Sequence, residues 1–88
     1  MDVYNIIFKP SVEKDIRKIP DAMVTRILER IEGLASEPFP HQSIKLTGGE
    51  SLYRIRVGDY RIVYEVDTQV KHIIIHYIRH RREVYRNI

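Results

Sequence analysis

Three arginines, Arg54, Arg56 and Arg61, flank a two-residue turn in the run Leu52-Tyr53-Arg54-Ile55-Arg56-Val57-Gly58-Asp59-Tyr60-Arg61-Ile62-Val63-Tyr64. Arginine presents a planar fork that matches phosphate oxygens, and it stays charged at any working pH. A second basic run follows near the end of the chain, Arg79-His80-Arg81-Arg82-Glu83-Val84-Tyr85-Arg86. Histidine, with a reference pKa of about 6.5, is the side chain that exchanges protons around neutrality. Tyr85 adds a hydroxyl and a ring on which a nucleobase can stack. Cleaving a phosphodiester without a metal needs three functions. A base takes a proton from an RNA 2′-hydroxyl, an acid protonates the departing 5′-oxygen, and fixed positive charge stabilises the phosphorane between them. The two basic runs supply candidates for all three.

The blander readings are as concrete. Basic residues on the outer face of a hairpin also discourage edge-to-edge pairing, and a charged tail is more often solvated than catalytic. His72 and His76 share a strand face and imitate a metal pair, yet no cysteine or neighbouring acidic ligand completes it, so no metal and no cofactor is expected. His41 falls in a loop. The acidic residues are scattered and suggest neither a carboxylate dyad nor a magnesium site. No serine stands in a nucleophile-elbow context, and Gly48-Gly49 alone is too little for a phosphate loop.

Positioning these groups requires a sheet. Apolar and polar residues alternate on both sides of Gly58-Asp59, the pattern of a β-hairpin. If Val57 pairs with Tyr60, then Arg56 faces Arg61 and Ile55 faces Ile62, so the three arginines share one face. Like charges directly across a strand pair are unfavourable, and a polyanionic partner would offset that cost. The hairpin strands are expected at about 51–57 and 60–66, with a further strand at 70–78 after Asp67-Thr68-Gln69. Before them come a β-prone run at 3–8 and a short helix at 10–18 with proline in its first turn. A second helix follows, with Val24, Ile27, Leu28, Ile31 and Leu34 as its apolar stripe, Asp21 as its cap, and Glu37-Pro38 as its stop. Residues 38–50 form a connector containing a short Lys45-Leu46 segment. The tail beyond Arg79 is too charged for a core strand and suggests a short helix or flap. The order is β-α-α-β-β-β. It predicts an α+β fold in which two antiparallel helices cover one face of a small, mostly antiparallel four-stranded sheet. The other face, with the arginines, stays open.

Size and charge bound the rest. Eighty-eight residues make one domain, spanning 1–88, with a modest core. The absence of cysteine excludes disulfides and thiolate chemistry and fits a reducing cytoplasm. The start Met1-Asp2-Val3-Tyr4-Asn5 lacks the features of a signal peptide, and no apolar stretch approaches membrane-spanning length. The net charge of +3 is unevenly held: residues 1–40 contain six Lys/Arg and seven Asp/Glu, while residues 41–88 contain nine and five. A localised basic surface is the footprint of a nucleic-acid or acidic-protein partner.

Three segments in order, Lys45-Leu46-Thr47-Gly48, then the hairpin from Leu52 to Glu65, then His80-Arg81-Arg82-Glu83-Val84-Tyr85, resemble the RelE branch of the RelE/ParE toxin superfamily. Each motif is moderately specific; together they cover nearly the whole chain. The resemblance implies a toxin of a type II toxin–antitoxin pair that enters the ribosomal A site and cuts mRNA there without a metal. Its cognate antitoxin would wrap and neutralise it, and the pair would assemble further on operator DNA. Carried across position by position, the family's site falls on Arg54, Arg56, Arg61, His80, Arg81 and Tyr85. Lys45, Arg79 and Arg82 fall to contacts with mRNA or rRNA backbone. The best-studied member has lysines where this chain has Arg54 and Arg56, so the base role moves to His80. Many members have glycine where this chain has Arg79, so the tail admits a second register in which Arg79 replaces Arg81. Two other classes share the fold: a ParE-like toxin that poisons DNA gyrase, and an inactive homologue that keeps antitoxin binding.

Overall fold

In the computed structural model, residues 3–46 and 51–81 are described. The elements run β1 (Asn5–Phe8), α1 (Pro10–Arg17), α2 (Asp21–Leu34), β2 (Ile44–Lys45), β3 (Leu52–Val57), β4 (Tyr60–Asp67) and β5 (His72–His80). The α+β architecture expected from the sequence holds. The sheet has one strand more than expected, because Ile44–Lys45 in the connector pairs antiparallel with β3. The strand order is β1-β5-β4-β3-β2. β1 runs parallel to β5, as the intervening helix pair permits: parallel neighbours need a crossover rather than a tight turn.

The core lies between the helices and one sheet face. Val12, Ile19, Ile27, Ile31 and Leu34 meet Ile55, Val57, Ile62, Tyr64, Val66, Ile73, Ile75 and Ile78, all buried. Each such side chain contributes about 1.5–3 kcal/mol through removal from water. Pro10 occupies the first turn of α1, as expected. Asp21 does not cap α2. Pro20 holds that position without a side-chain bond, its carbonyl accepting from Met23 and Val24 N–H at 2.9 and 3.0 Å. Asp21 instead lies in the first turn, where a negative charge suits the helix dipole.

The hairpin takes the expected register, with Val57 opposite Tyr60, Arg56 opposite Arg61 and Ile55 opposite Ile62. Of the two turn residues only Gly58 has positive φ, at 58°, the pattern of a type II′ turn with glycine first. A Cβ there would lie 3.0 Å from Met23 Cε, so backbone and packing both demand glycine. At the other end of β4, Asp67 Oδ1 accepts from Gln69 and Val70 N–H at 3.0 and 3.2 Å, shaping the turn into β5.

β5 carries the feature that decides the site. Tyr64 pairs with Ile75, but Val63 pairs with Tyr77, so His76 is an extra residue, a β-bulge. Before it, Ile73 and Ile75 face the core and Ile74 faces out. After it the phase reverses: Ile78 enters the core opposite Ile62, Arg79 lies opposite Arg61, and His80 lies opposite Tyr60. The strand also reaches His80, two residues beyond the expected end, and so takes in the first part of the charged tail. Past the end of β1, β5's outer edge is closed by α1, where Asp15 Oδ2 accepts the Ile78 N–H at 3.1 Å.

Candidate nucleic-acid interface

The sheet face turned away from the helices carries the basic cluster. Arg54 and Arg56 come from β3, Arg61 from β4 and Arg79 from β5, and the register sets Arg61 between Arg56 and Arg79. Four guanidinium-bearing residues on three adjacent strands repel one another, and the concentration of charge favours an anion held across them. Arg61 is only 9 % exposed, the one buried charged residue among those described. Arg54, Arg56 and Arg61, with Ile44, Gln42 and Ile55, line a concavity of about 410 Å³. Ile44 joins it because β2 pairs with β3 opposite Arg54. The short strand that the connector was not expected to form thus makes one wall. Its only signal in the chain is a single β-branched residue beside Lys45.

A neighbouring cleft of about 490 Å³ lies between α2 and the hairpin, lined by Arg26, Glu29, Arg30, Gln42, Arg56, Val57 and Gly58. Arg56 and Gln42 border both hollows. Arg30 donates to the Gln42 side-chain oxygen, which ties the connector to α2. An aromatic group fixes the connector from the other side. Tyr53 stacks near Tyr64 with ring centroids 5.9 Å apart and meets Phe39 edge-on at 5.0 Å. The Tyr64 hydroxyl donates to the Pro38 carbonyl at 2.9 Å. Burial pushes the Tyr64 phenol up to about 12, outweighing a hydrogen bond with Ser43 that lowers it.

The remaining expected site residues divide. Arg79 joins the arginine face, as the second tail register requires. Its guanidinium lies 4.4 Å from the centre of the Tyr77 ring on the same face, a cation–π arrangement. His80 does not join. Its place opposite Tyr60 puts it on the helix side of the sheet, where the two rings meet edge to face at 5.2 Å. Unbroken alternation along β5 would have aligned His80 with Ile74 on the outer face; the bulge removes it. Arg81 turns back to the hairpin tip, its N–H donating to the Asp59 carbonyl at 2.7 Å and its guanidinium 4.0 Å from the Asp59 carboxylate. Lys45 is exposed and pairs with Tyr53, on the side opposite Arg54. Arg82 and Tyr85 lie outside the described residues.

The outer face also holds a pair that residue spacing does not bring together. Glu65 points to the same side as Arg61 and Val63, and its Oε1 lies 2.9 Å from His76 Nε2. The acidic neighbour that His76 lacks in sequence is supplied by the adjacent strand. Among the described residues no three His, Asp or Glu side chains gather as a metal site, and no helix is long and apolar enough to cross a membrane.

The family described as the ParE toxin of the type II toxin–antitoxin system, parDE, matches residues 6–85. The RelE1 relative from Methanocaldococcus jannaschii is 31 % identical over 87 residues, covering 96 % of this chain and 97 % of that protein. Among solved structures, RelE in the archaeal RelE–RelB complex from Pyrococcus horikoshii OT3 superposes with a TM-score of 0.81. It is 36 % identical, over 90 % of this chain and 96 % of that one. The RelB–RelE antitoxin–toxin complex from Methanococcus jannaschii gives a TM-score of 0.78 at 29 % identity, over 93 % and 98 %. The chain belongs to the RelE branch of the RelE/ParE superfamily, the toxins of type II toxin–antitoxin systems.

Proposed function

We propose that this toxin is a metal-independent endoribonuclease that cuts mRNA in the ribosomal A site and so inhibits translation in the cytoplasm. The observation that carries this reading is the cluster of Arg54, Arg56, Arg61 and Arg79 on one sheet face beside a concavity of about 410 Å³. Arginines placed on three strands hold a phosphate in register before reaction. They stabilise the extra negative charge of the phosphorane without reorganising, which is where preorganised charge contributes most. Lys45, Arg81, Arg82 and Tyr85 are assigned to RNA binding and orientation. His80, on the helix side opposite Tyr60, lies away from the phosphate site in the described arrangement.

The partner that restrains the toxin is a cognate antitoxin. The Pyrococcus horikoshii and Methanococcus jannaschii relatives are each seen with RelB. An acidic antitoxin segment crossing the arginine face would compete directly with RNA, and the complex would assemble further on operator DNA.

Arg61→Ala tests the site. Losing a preorganised donor to the transition state typically costs on the order of a hundredfold or more in rate. Induced expression followed by primer extension should show ribosome-phased mRNA cuts for the wild type and their loss in the variant, with antitoxin binding retained. Full toxicity of Arg61→Ala at matched expression would remove the site. Arrest of growth with intact mRNA and inhibited gyrase would instead assign the ParE-type activity.

A further inference from the structure

The arginine face supplies charge but no proton acceptor, because guanidinium groups stay protonated. The bulge supplies one. We propose that His76, held by Glu65, is the proton-transfer group of this face; the inference rests on the ribonuclease reading above. Three observations support it. His76 is the extra residue of the bulge, and bulges re-aim side chains beside active sites. Its ring is tethered at 2.9 Å to Glu65, a residue of the same strand face as Arg61. The side chains of the pair are 21 % and 39 % exposed, so the ring is largely packed yet open to a substrate.

The tether fixes the chemistry of the ring. With Glu65 ionised, the nitrogen facing it, Nε2, carries the hydrogen and donates to Oε1. Nδ1 then keeps its lone pair and is the nitrogen that accepts. Glu65 is a positioning residue: it sets tautomer and orientation and stabilises the imidazolium once formed, as a carboxylate behind a catalytic histidine does. His76 is three residues from Arg79 along β5, a backbone rise of about 10 Å, and the Arg79 guanidinium, 4.4 Å from the centre of the Tyr77 ring, lies toward it within that gap. One nucleotide lying along the face can therefore present its phosphate to the arginines and its 2′-hydroxyl to the imidazole. In the step, the 2′-oxygen loses its proton to Nδ1 and bonds to the adjacent phosphorus. The bond from phosphorus to the 5′-oxygen breaks, and that oxygen takes a proton from water. The products are a 2′,3′-cyclic phosphate and a 5′-hydroxyl, and the imidazolium returns its proton to solvent.

The groups that face His76 are few. Glu65 stands on β4. His72 precedes it, and Tyr77 and Arg79 follow, on the outward face of its own strand. Lys9, just beyond β1, donates its backbone N–H to the Ile75 carbonyl at 3.1 Å and is the charged residue on the other flank. None of these but Glu65 is placed to accept from the ring.

The test is single-turnover mRNA cleavage on saturated ribosomes, measured from about pH 5.5 to 8.5 to span the ordinary histidine range, with ribosome binding followed separately. The wild type should cut faster as pH rises around neutrality. His76→Asn should slow cleavage by about a hundredfold or more, the usual range for losing a general base, and should flatten that rise while binding stays unchanged. Glu65→Gln, nearly isosteric and on the surface, should slow cleavage less and keep the rise, and its effect should vanish in the His76→Asn background. Wild-type rate and pH profile in His76→Asn, or a rise that survives there and disappears in His80→Ala, overturns the assignment while leaving the ribonuclease reading intact. A wild-type protein that leaves mRNA uncut removes both.

Discussion

At the residue scale, the arginine face asks which tail residue completes it. Arg79 and Arg81 are two apart and chemically identical, yet the fold treats them differently. Arg79 lies in line with Arg61 and over the Tyr77 ring. Arg81 is drawn to the hairpin tip by its backbone bond to Asp59. Its exposed pairing with the Asp59 carboxylate adds little, as surface ion pairs do. Arg79→Ala should therefore cost about a hundredfold in single-turnover cleavage, the smaller end of what a preorganised donor supplies, and Arg81→Ala much less. Both should lower the salt dependence of ribosome binding, by roughly one unit of slope for each phosphate left without its cation. A greater cost from Arg81→Ala would show that the tail engages RNA in the other register. Arg61 differs from both in being buried. A wild-type thermal transition in Arg61→Ala, measured beside activity, is what allows loss of cleavage there to be read as chemistry.

At the element scale, the bulge in β5 does two jobs with one residue. It turns Arg79 outward to the arginine face, and it keeps Ile78 in the core after Ile75. Deleting His76 removes the extra residue and leaves Tyr77 and Arg79 outward and Ile78 and His80 inward in a regular strand. Flattening the bulge with His76 kept would instead turn Arg79 into the core, and burying an arginine without compensation costs several kcal/mol by any reference scale, comparable with the whole stability of a domain this size. The deletion should therefore keep a cooperative thermal transition and near-ultraviolet circular dichroism, as should His76→Asn. A deletion variant without a cooperative transition would mean that the bulge is needed for the fold itself. The turn at Gly58 constrains the same sheet from the other end, through its positive φ and its closeness to Met23.

At the scale of the whole molecule, apolar burial is concentrated on the helix side and the arginine cluster lies on the other, so folding and the proposed function draw on opposite faces of one sheet. Tyr64 belongs to the first. Its phenol, raised to about 12 by burial, stays protonated in the fold at pH values where the unfolded chain, with the ordinary value near 10, has begun to ionise. Between these two values the unfolded state binds fewer protons than the native state, so stability falls as pH rises. The contribution is fully present below about pH 10 and is lost progressively up to about pH 12. Urea midpoints measured across that window should fall, and by less in Tyr64→Phe once its lower starting stability is taken into account. An equal decline in both would place the alkaline transition elsewhere.

Much of this protein is settled by local pattern. The helix stripes, the glycine turn and the cross-strand facing of Arg56 and Arg61 follow from periodicity and turn chemistry, because alternation in a hairpin is set by residues a few positions apart. What the sequence could not determine is how distant segments meet. The run Ile73-Ile74-Ile75 offers an apolar residue to either face, so β5 is compatible with two phases. The choice is made by its neighbours, through the pairing of Tyr64 with Ile75, the closure of Ile78 by Asp15 on α1, and the resulting bulge at His76. That choice carries Arg79 to the arginine face, leaves His80 beside Tyr60, and brings Glu65 to His76 across eleven residues of chain. The second strand, Ile44–Lys45, likewise exists only because β3 offers it an edge. Residue types and their local facing are inherited from the chain itself. Which of them share a site is a property of packing between segments remote in sequence, and only the tertiary structure decides it.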